Sequence, residues 1–313
     1  MVIHRPHVAL ALLALAFAAT LPVFASRGPS IKRSKSDRDI NAIGHRDIVH
    51  GQDRKFIGSL ALEEQRGAAW AAVVERSTKL VDDPALKGYL AELARHLAQN
   101  SDAQMPITVT LVDSDEVQAC TSPGGYQYVT RGLLLQLESE GELAAVLAHG
   151  IAHTALHTPT INGIRQALMH VAVPGPVPDS AFAWFMCTTP PSLIWNAINP
   201  VYEFHADYFG VQYLYNAGYD PDCYIRFVER VWPAGSPSGK AAAMINYVPA
   251  TSERLKALRR EFADILPQRG EGTLSTSAFE QFEQRLHTWQ AQHPEPQHPE
   301  PHRPFLRRAD TSQ

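Results

Sequence analysis

Cysteine is scarce. Three in 313 residues, Cys120, Cys187 and Cys223, are too few for a disulfide scaffold. One must stay unpaired within the chain, and a single Cys187–Cys223 bridge is compatible with an oxidising compartment. An excess of basic charge is also missing. Lys and Arg number 28 against 32 Asp and Glu, a net of −4, so nothing here predicts a nucleic-acid surface. Hydrophobic residues at 45% and charged residues at 19% give the balance of a globular core.

The N-terminus reads as an export signal over residues 1–25. Arg5 supplies a short basic region, Val8–Phe24 is almost wholly apolar, and Val23-Phe24-Ala25 fits the cleavage rule before Ser26. The alternative is an uncleaved membrane anchor, which needs ~20 apolar residues. Residues 26–53 are basic and polar and are expected to form a flexible linker. Beyond them, Phe56–Leu80 has a helical pattern. Asp83-Pro84 opens a second helix with the stripe Leu86, Leu90, Leu93, Leu97. Ile107–Val112 alternates as a strand does. Val117–Thr121 and Tyr126–Thr130 are extended pieces around the Pro123-Gly124-Gly125 turn. Leu133–Leu137 begins another helix. Ser139 and Glu142 form a capping box before the helix through Leu143, Val146, Leu147, Ile151 and Ala152.

Residues 158–200 hold seven prolines and apolar tracts. They read as an internal loop and helix on the core, or as a flap facing membrane or substrate through 181–198. Val201–Asn216 and Thr251–Leu266 are helical in pattern, and Phe279, Phe282, Leu286 and Trp289 mark a last helix within 267–291. The tail 292–313 repeats QHPEP. It is expected to be disordered, and its histidines 293, 298 and 302 solvated.

The chemistry lies in "VLAHGIAH", residues 146–153. His149 and His153 stand four apart on a helix, so both face one side and can share a metal. Such a pair arises easily by chance among fourteen histidines. The reading strengthens at "YEFHADYFG", where Glu203 and Asp207 are again four apart. One carboxylate can complete the ligand set. The other can accept from a ligand imidazole and fix its tautomer. Ser122 and Cys120 offer a nucleophile nearby but no paired base.

The run from Glu75 to His153 resembles the HtpX/BepA/Oma-type zinc metallopeptidases, peptidase family M48, of the gluzincin group. Matching segments occur in order: Asp113–Ala119, the PGGY-x-x-VTRGLL run Pro123–Leu134, the helix Glu142–His153, ExxAD at Glu203–Asp207, Gly210, "NAGYDP", and "TSERLKAL" at 251–258. The resemblance implies an α+β, mainly helical, gluzincin-like domain over 54–266, with a small β-sheet beside the HxxxH helix. It implies one zinc ion on His149, His153 and Glu203, with Asp207 behind them and Arg254 as support. Pro123, Gly124, Gly125 and Tyr126 are then expected at an exposed substrate cleft.

Two departures bear on activity. The family's general base is the glutamate directly after the first histidine, and here that residue is Gly150. A family histidine before the late arginine is Val248 here. General acid–base help is worth ~10²–10⁴-fold, and glycine has no group to supply it. His157, one turn on, is a rotated substitute. The expectation is an exported protein, periplasmic in a Gram-negative cell, with inner-membrane association as the alternative. It acts on unfolded or envelope proteins as a zinc-binding pseudopeptidase. The alternatives are an active zinc metalloendopeptidase with residual or unconventional activity and a metal-free binding scaffold. Gly150→Glu is expected to restore some cleavage.

Overall fold

The computed structural model describes residues 35–49, 53–164, 195–231, 252–264, 266 and 272–294. Helix α1 spans Leu60–Ser77 and α2 spans Pro84–Gln99. Strands β1 (Thr108–Val112), β2 (Ala119–Ser122) and β3 (Tyr126–Thr130) follow. Then come α3 (Arg131–Leu134), α4 (Glu140–Ala155), α5 (Trp195–Asn216), α6 (Asp222–Val231), α7 (Ser252–Asp264) and α8 (Ser277–Gln292). The fold is α+β and mainly helical, as the sequence implies.

Local chemistry sets these bounds. Asp83 caps α2 by accepting from the N–H groups of Ala85 and Leu86, and Pro84 fills the first helical position. The α2 stripe is buried as its spacing requires. Thr130 Oγ1 accepts from Leu133 N at 3.3 Å, so α3 starts at Arg131, before the expected Leu133. The capping box at Ser139 is half formed. Ser139 Oγ accepts from Glu142 N at 3.2 Å, whereas Glu142 Oε2 accepts from Glu138 N at 2.8 Å.

The sheet has the order β1-β3-β2, with β1 parallel and β2 antiparallel to the central β3. It lies beside α4, whose sixteen residues are all buried. A helix buried on every side belongs in the centre of a domain. The sheet, α2, α5 and α6 surround it. Helix α8 joins the same core, with Phe282 stacked on Tyr89 at 4.5 Å between ring centroids.

Residues 35–49 depart from the expected flexible linker. Arg46 is buried in a salt bridge with Asp102, Nη2 to Oδ2 at 2.5 Å, and Ile48 joins the core. A basic, polar composition signalled solvent, but the arginine here is spent on a buried carboxylate. The proposed Cys187–Cys223 bridge is also corrected. Cys120 is disulfide-bonded, whereas Cys223 is free, buried, and accepts from Arg226 Nη2 at 3.2 Å. Residues 1–25, 181–194, 295–313 and Val248 lie outside the described residues, as does the Arg254 side chain. Among the described residues no helix is long and apolar enough to cross a membrane.

Candidate metal centre

The i,i+4 spacing on α4 puts the two imidazoles edge to face, with ring centroids 4.7 Å apart. Helix α5 crosses them closely because residue 210 is glycine. A Cβ there would lie 3.1 Å from His149 Cα and 3.2 Å from its nitrogen. That approach brings Glu203 and Asp207 to the histidines.

Glu203 straddles the pair. Its Oε2 is 3.3 Å from His149 Nε2, and its Oε1 is 3.3 Å from His153 Nε2. The two Nε2 atoms are 3.1 Å apart. One donor atom from each of the three residues falls within 4.8 Å of the others. Tetrahedral zinc with bonds of ~2.0–2.1 Å sets ligand atoms roughly 3.3 Å apart, so the donor set fits that ion in type and spacing. All three side chains are at most 5% exposed.

A supporting layer holds the triangle. Asp207 Oδ1 sits 3.1 Å from His149 Nδ1, which turns the Nε2 lone pair of His149 toward Glu203 and His153. The Tyr224 hydroxyl donates to the same Oδ1 at 2.6 Å and lies 3.1 Å from His149 Nδ1. Tyr224, on α6, has no motif around it that spacing could reveal. His153 Nδ1 is buried and has no hydrogen-bond partner among the described residues.

The charges interlock. Burial pushes His149 toward the neutral form, but Asp207 and Glu203 outweigh it and raise its pKa. At His153 burial prevails, and the pKa falls despite Glu203. Burial alone would raise the Glu203 carboxyl, yet the two histidines bring it down to about 2. A carboxylate held ionised between two imidazoles is ready to bind a cation.

Gly150 occupies the turn between the histidines, and it does not face open space. A Cβ there would lie 2.8 Å from Gln127 Cδ, 2.8 Å from Thr121 Oγ1 and 2.9 Å from Gln127 Nε2. Gln127 and Thr121, together with His149 and Gly150, line a small cavity of about 20 Å³. The sequence offered one sign of this, a polar residue between Tyr126 and Tyr128 on a strand beside the histidine helix. His157 points elsewhere. Its Nδ1 is 2.6 Å from Glu63 Oε2 on α1, and its backbone is left-handed with φ 52°.

The Pro123–Gly125 turn stays beside α4 but is covered where an exposed cleft was expected. Helix α1 lies on it, with the Gly67 position 2.3 Å (as a Cβ) from Pro123 O. Gly124 and Gly125 are buried, and Pro123 and Tyr126 are half-buried.

A buried HxxxH helix, crossed by an ExxxD helix and flanked by a small sheet, defines a gluzincin-like metallopeptidase fold. A model of Peptidase family M48 matches residues 84–262, more than half of the chain, and the chain belongs to that family. It is 28% identical over 217 residues to the putative beta-barrel assembly-enhancing protease of Vibrio cholerae, covering 64% of this chain and 44% of the relative. The beta-barrel assembly-enhancing protease of Escherichia coli is 24% identical over 224 residues, 67% of this chain and 45% of the relative. That of Yersinia pestis is 26% identical over 226 residues, 67% and 46%. The chain spans less than half the length of the curated relatives it matches.

Proposed function

We propose that the protein is a zinc-binding pseudopeptidase that holds unfolded or envelope proteins and hydrolyses them poorly. The carrying observation is a donor triangle at zinc spacing next to a general-base position that is both empty of carboxylate and filled by its neighbours. His149, His153 and Glu203 would hold one zinc ion. When bound, zinc acts as a Lewis acid toward a peptide carbonyl.

The chain's own residues divide the remaining work. Asp207 and Tyr224 orient His149. Gln127 and Thr121 offer hydrogen bonds in the cleft, and neither takes a proton at neutral pH. Arg254 on α7 remains a candidate support. The names of the three relatives, beta-barrel assembly-enhancing proteases, support an envelope protein as partner. The leader at 1–25, the anchor alternative and the tract at 181–198 are expectations on which export to the periplasm rests.

The test is metal analysis of purified protein with a casein cleavage assay. About one zinc per chain with little cleavage supports the reading. Brisk cleavage abolished by a chelator would make the protein an active metalloendopeptidase. No stoichiometric zinc would make it a metal-free scaffold.

A further inference from the structure

We propose that Gln127 stands in the place of the missing general base: its carboxamide fills the space of a side chain at position 150 and makes the cleft beside His149 hold a peptide carbonyl without activating water.

The packing is specific. Three side-chain atoms lie under 3.0 Å from a Cβ at position 150, inside ordinary van der Waals contact for any residue but glycine. The amide carbon of Gln127 is 2.8 Å from that Cβ. A glutamate's own carboxyl carbon is roughly 2.5 Å from its Cβ by covalent geometry. Gln127 therefore presents an amide at the reach from position 150 that a glutamate carboxylate there would have.

The group is held from the other side of the cleft. Gln127 sits on the central strand, paired with Val109 on β1 and Thr121 on β2, so its backbone is fixed along both edges. Its side chain is buried with the residue 3% exposed. Nε2 donates to Leu147 O over a long 3.5 Å. That is the amide's one hydrogen bond among the described residues. A buried amide gains from a partner, and a peptide backbone supplies both donor and acceptor. Thr121 adds a hydroxyl that can do either. Neither group accepts a proton at working pH, so the arrangement positions an oxygen ligand and leaves it intact. His157 does not substitute, since Glu63 holds its ring.

The carbonyl-holding role of the amide rests on the zinc site proposed above. The experiment is a double-mutant cycle with Gly150→Glu, Gln127→Ala and both together. Melting temperature, zinc content and binding of a fluorescein-labelled casein peptide are measured for each. Gly150→Glu alone should lower Tm by roughly 3–10 °C, the scale of overpacking in a domain of this size. The double variant should recover most of that loss and gain chelator-sensitive casein cleavage; Gly150→Glu alone should lack it, contrary to the expectation from sequence, because Gln127 and Thr121 crowd the position. Gln127→Ala should weaken peptide binding by roughly 3–10-fold, one hydrogen bond's worth. If Gly150→Glu does not fold, Gly150→Ala takes its place in the stability cycle. Additive Tm changes, or cleavage restored by Gly150→Glu alone, would overturn the proposal, as would peptide binding unchanged in Gln127→Ala. Zinc content keeps the two readings apart. Absence of zinc from every variant would sink the metal reading, and the Tm cycle would still decide whether Gln127 occupies the space at 150.

Discussion

The Tyr224 hydroxyl donates to Asp207 Oδ1 at 2.6 Å, and that oxygen also lies 3.1 Å from His149 Nδ1. The tyrosine therefore fixes the carboxylate that fixes the imidazole. Groups behind a metal ligand typically contribute ~10–100-fold in metal affinity. Asp207→Asn should weaken zinc binding across that range. Tyr224→Phe removes the hydroxyl's bond to Asp207 and its contact with His149 Nδ1 but leaves the carboxylate in place, and should cost roughly tenfold or less. Chelator competition on the purified protein measures both. Equal affinities in wild type and Asp207→Asn would show that His149 is oriented by its helix alone.

The crossing of α4 and α5 depends on residue 210. A methyl group there would press on the His149 backbone at 3.1–3.2 Å, so Gly210→Ala should push the helices apart by tenths of an ångström. The expected cost is ~1–3 kcal/mol in urea denaturation. Because α5 carries Glu203 and α4 the histidines, zinc affinity should fall in the same variant. A stability loss with unchanged zinc binding would mean that the displacement is absorbed away from the site.

Asp113 gives the domain a pH dependence. Burial raises its carboxyl pKa, but Lys79 and Arg131 overcome this and hold it below the ordinary 3.8. Its Oδ1 accepts from Arg131 Nε at 2.9 Å, and Arg131 is buried. A carboxyl depressed on folding stabilises fully above its unfolded value, near ~3.9, and loses that contribution as pH falls through the folded value. Asp113→Asn should cost roughly 1–3 kcal/mol at pH 7, less than a fully isolated charge because Asp115 also pairs with Arg131 at 2.6 Å. The difference between wild type and variant should shrink below pH 4. A constant difference from pH 7 to pH 3 would contradict the assignment.

These residues also mark what the sequence can show. His149, His153, Glu203 and Asp207 were legible because helical periodicity converts spacing into a shared face. Thr121, Gln127 and Tyr224 were not, since their roles depend on which strand or helix comes to lie beside α4, a matter of topology that no local pattern encodes. The leucine stripe of α2 was legible for the same reason as the histidines. The covering of Gly124 by α1 was not, because a glycine turn reads as exposed until a second glycine, Gly67, meets it. Residues 35–49 misled in the opposite sense, since charge predicts solvent only while no buried partner is known.

That buried partner supplies the last prediction. Arg46 donates through Nε to both Asp102 oxygens, at 3.3 and 3.0 Å, and through Nη1 to Gln212 Oε1 at 2.7 Å and Asp37 O at 3.0 Å. Asp102 accepts further from Tyr213 OH at 2.8 Å and Gly44 N at 2.8 Å. The two side chains are 0% and 1% exposed, so removing one leaves the other charged in a dry site. Arg46→Met should cost ~3–5 kcal/mol, as should Asp102→Leu, while the double variant should lose much less than their sum. The cycle is read by urea denaturation. Hydrogen exchange at 35–49 adds a local readout. In wild type these amides should be protected with the core, and in Arg46→Met they should exchange as open chain while α4 stays closed. Additive losses, or fast exchange of 35–49 already in wild type, would return this segment to the linker that its composition suggests.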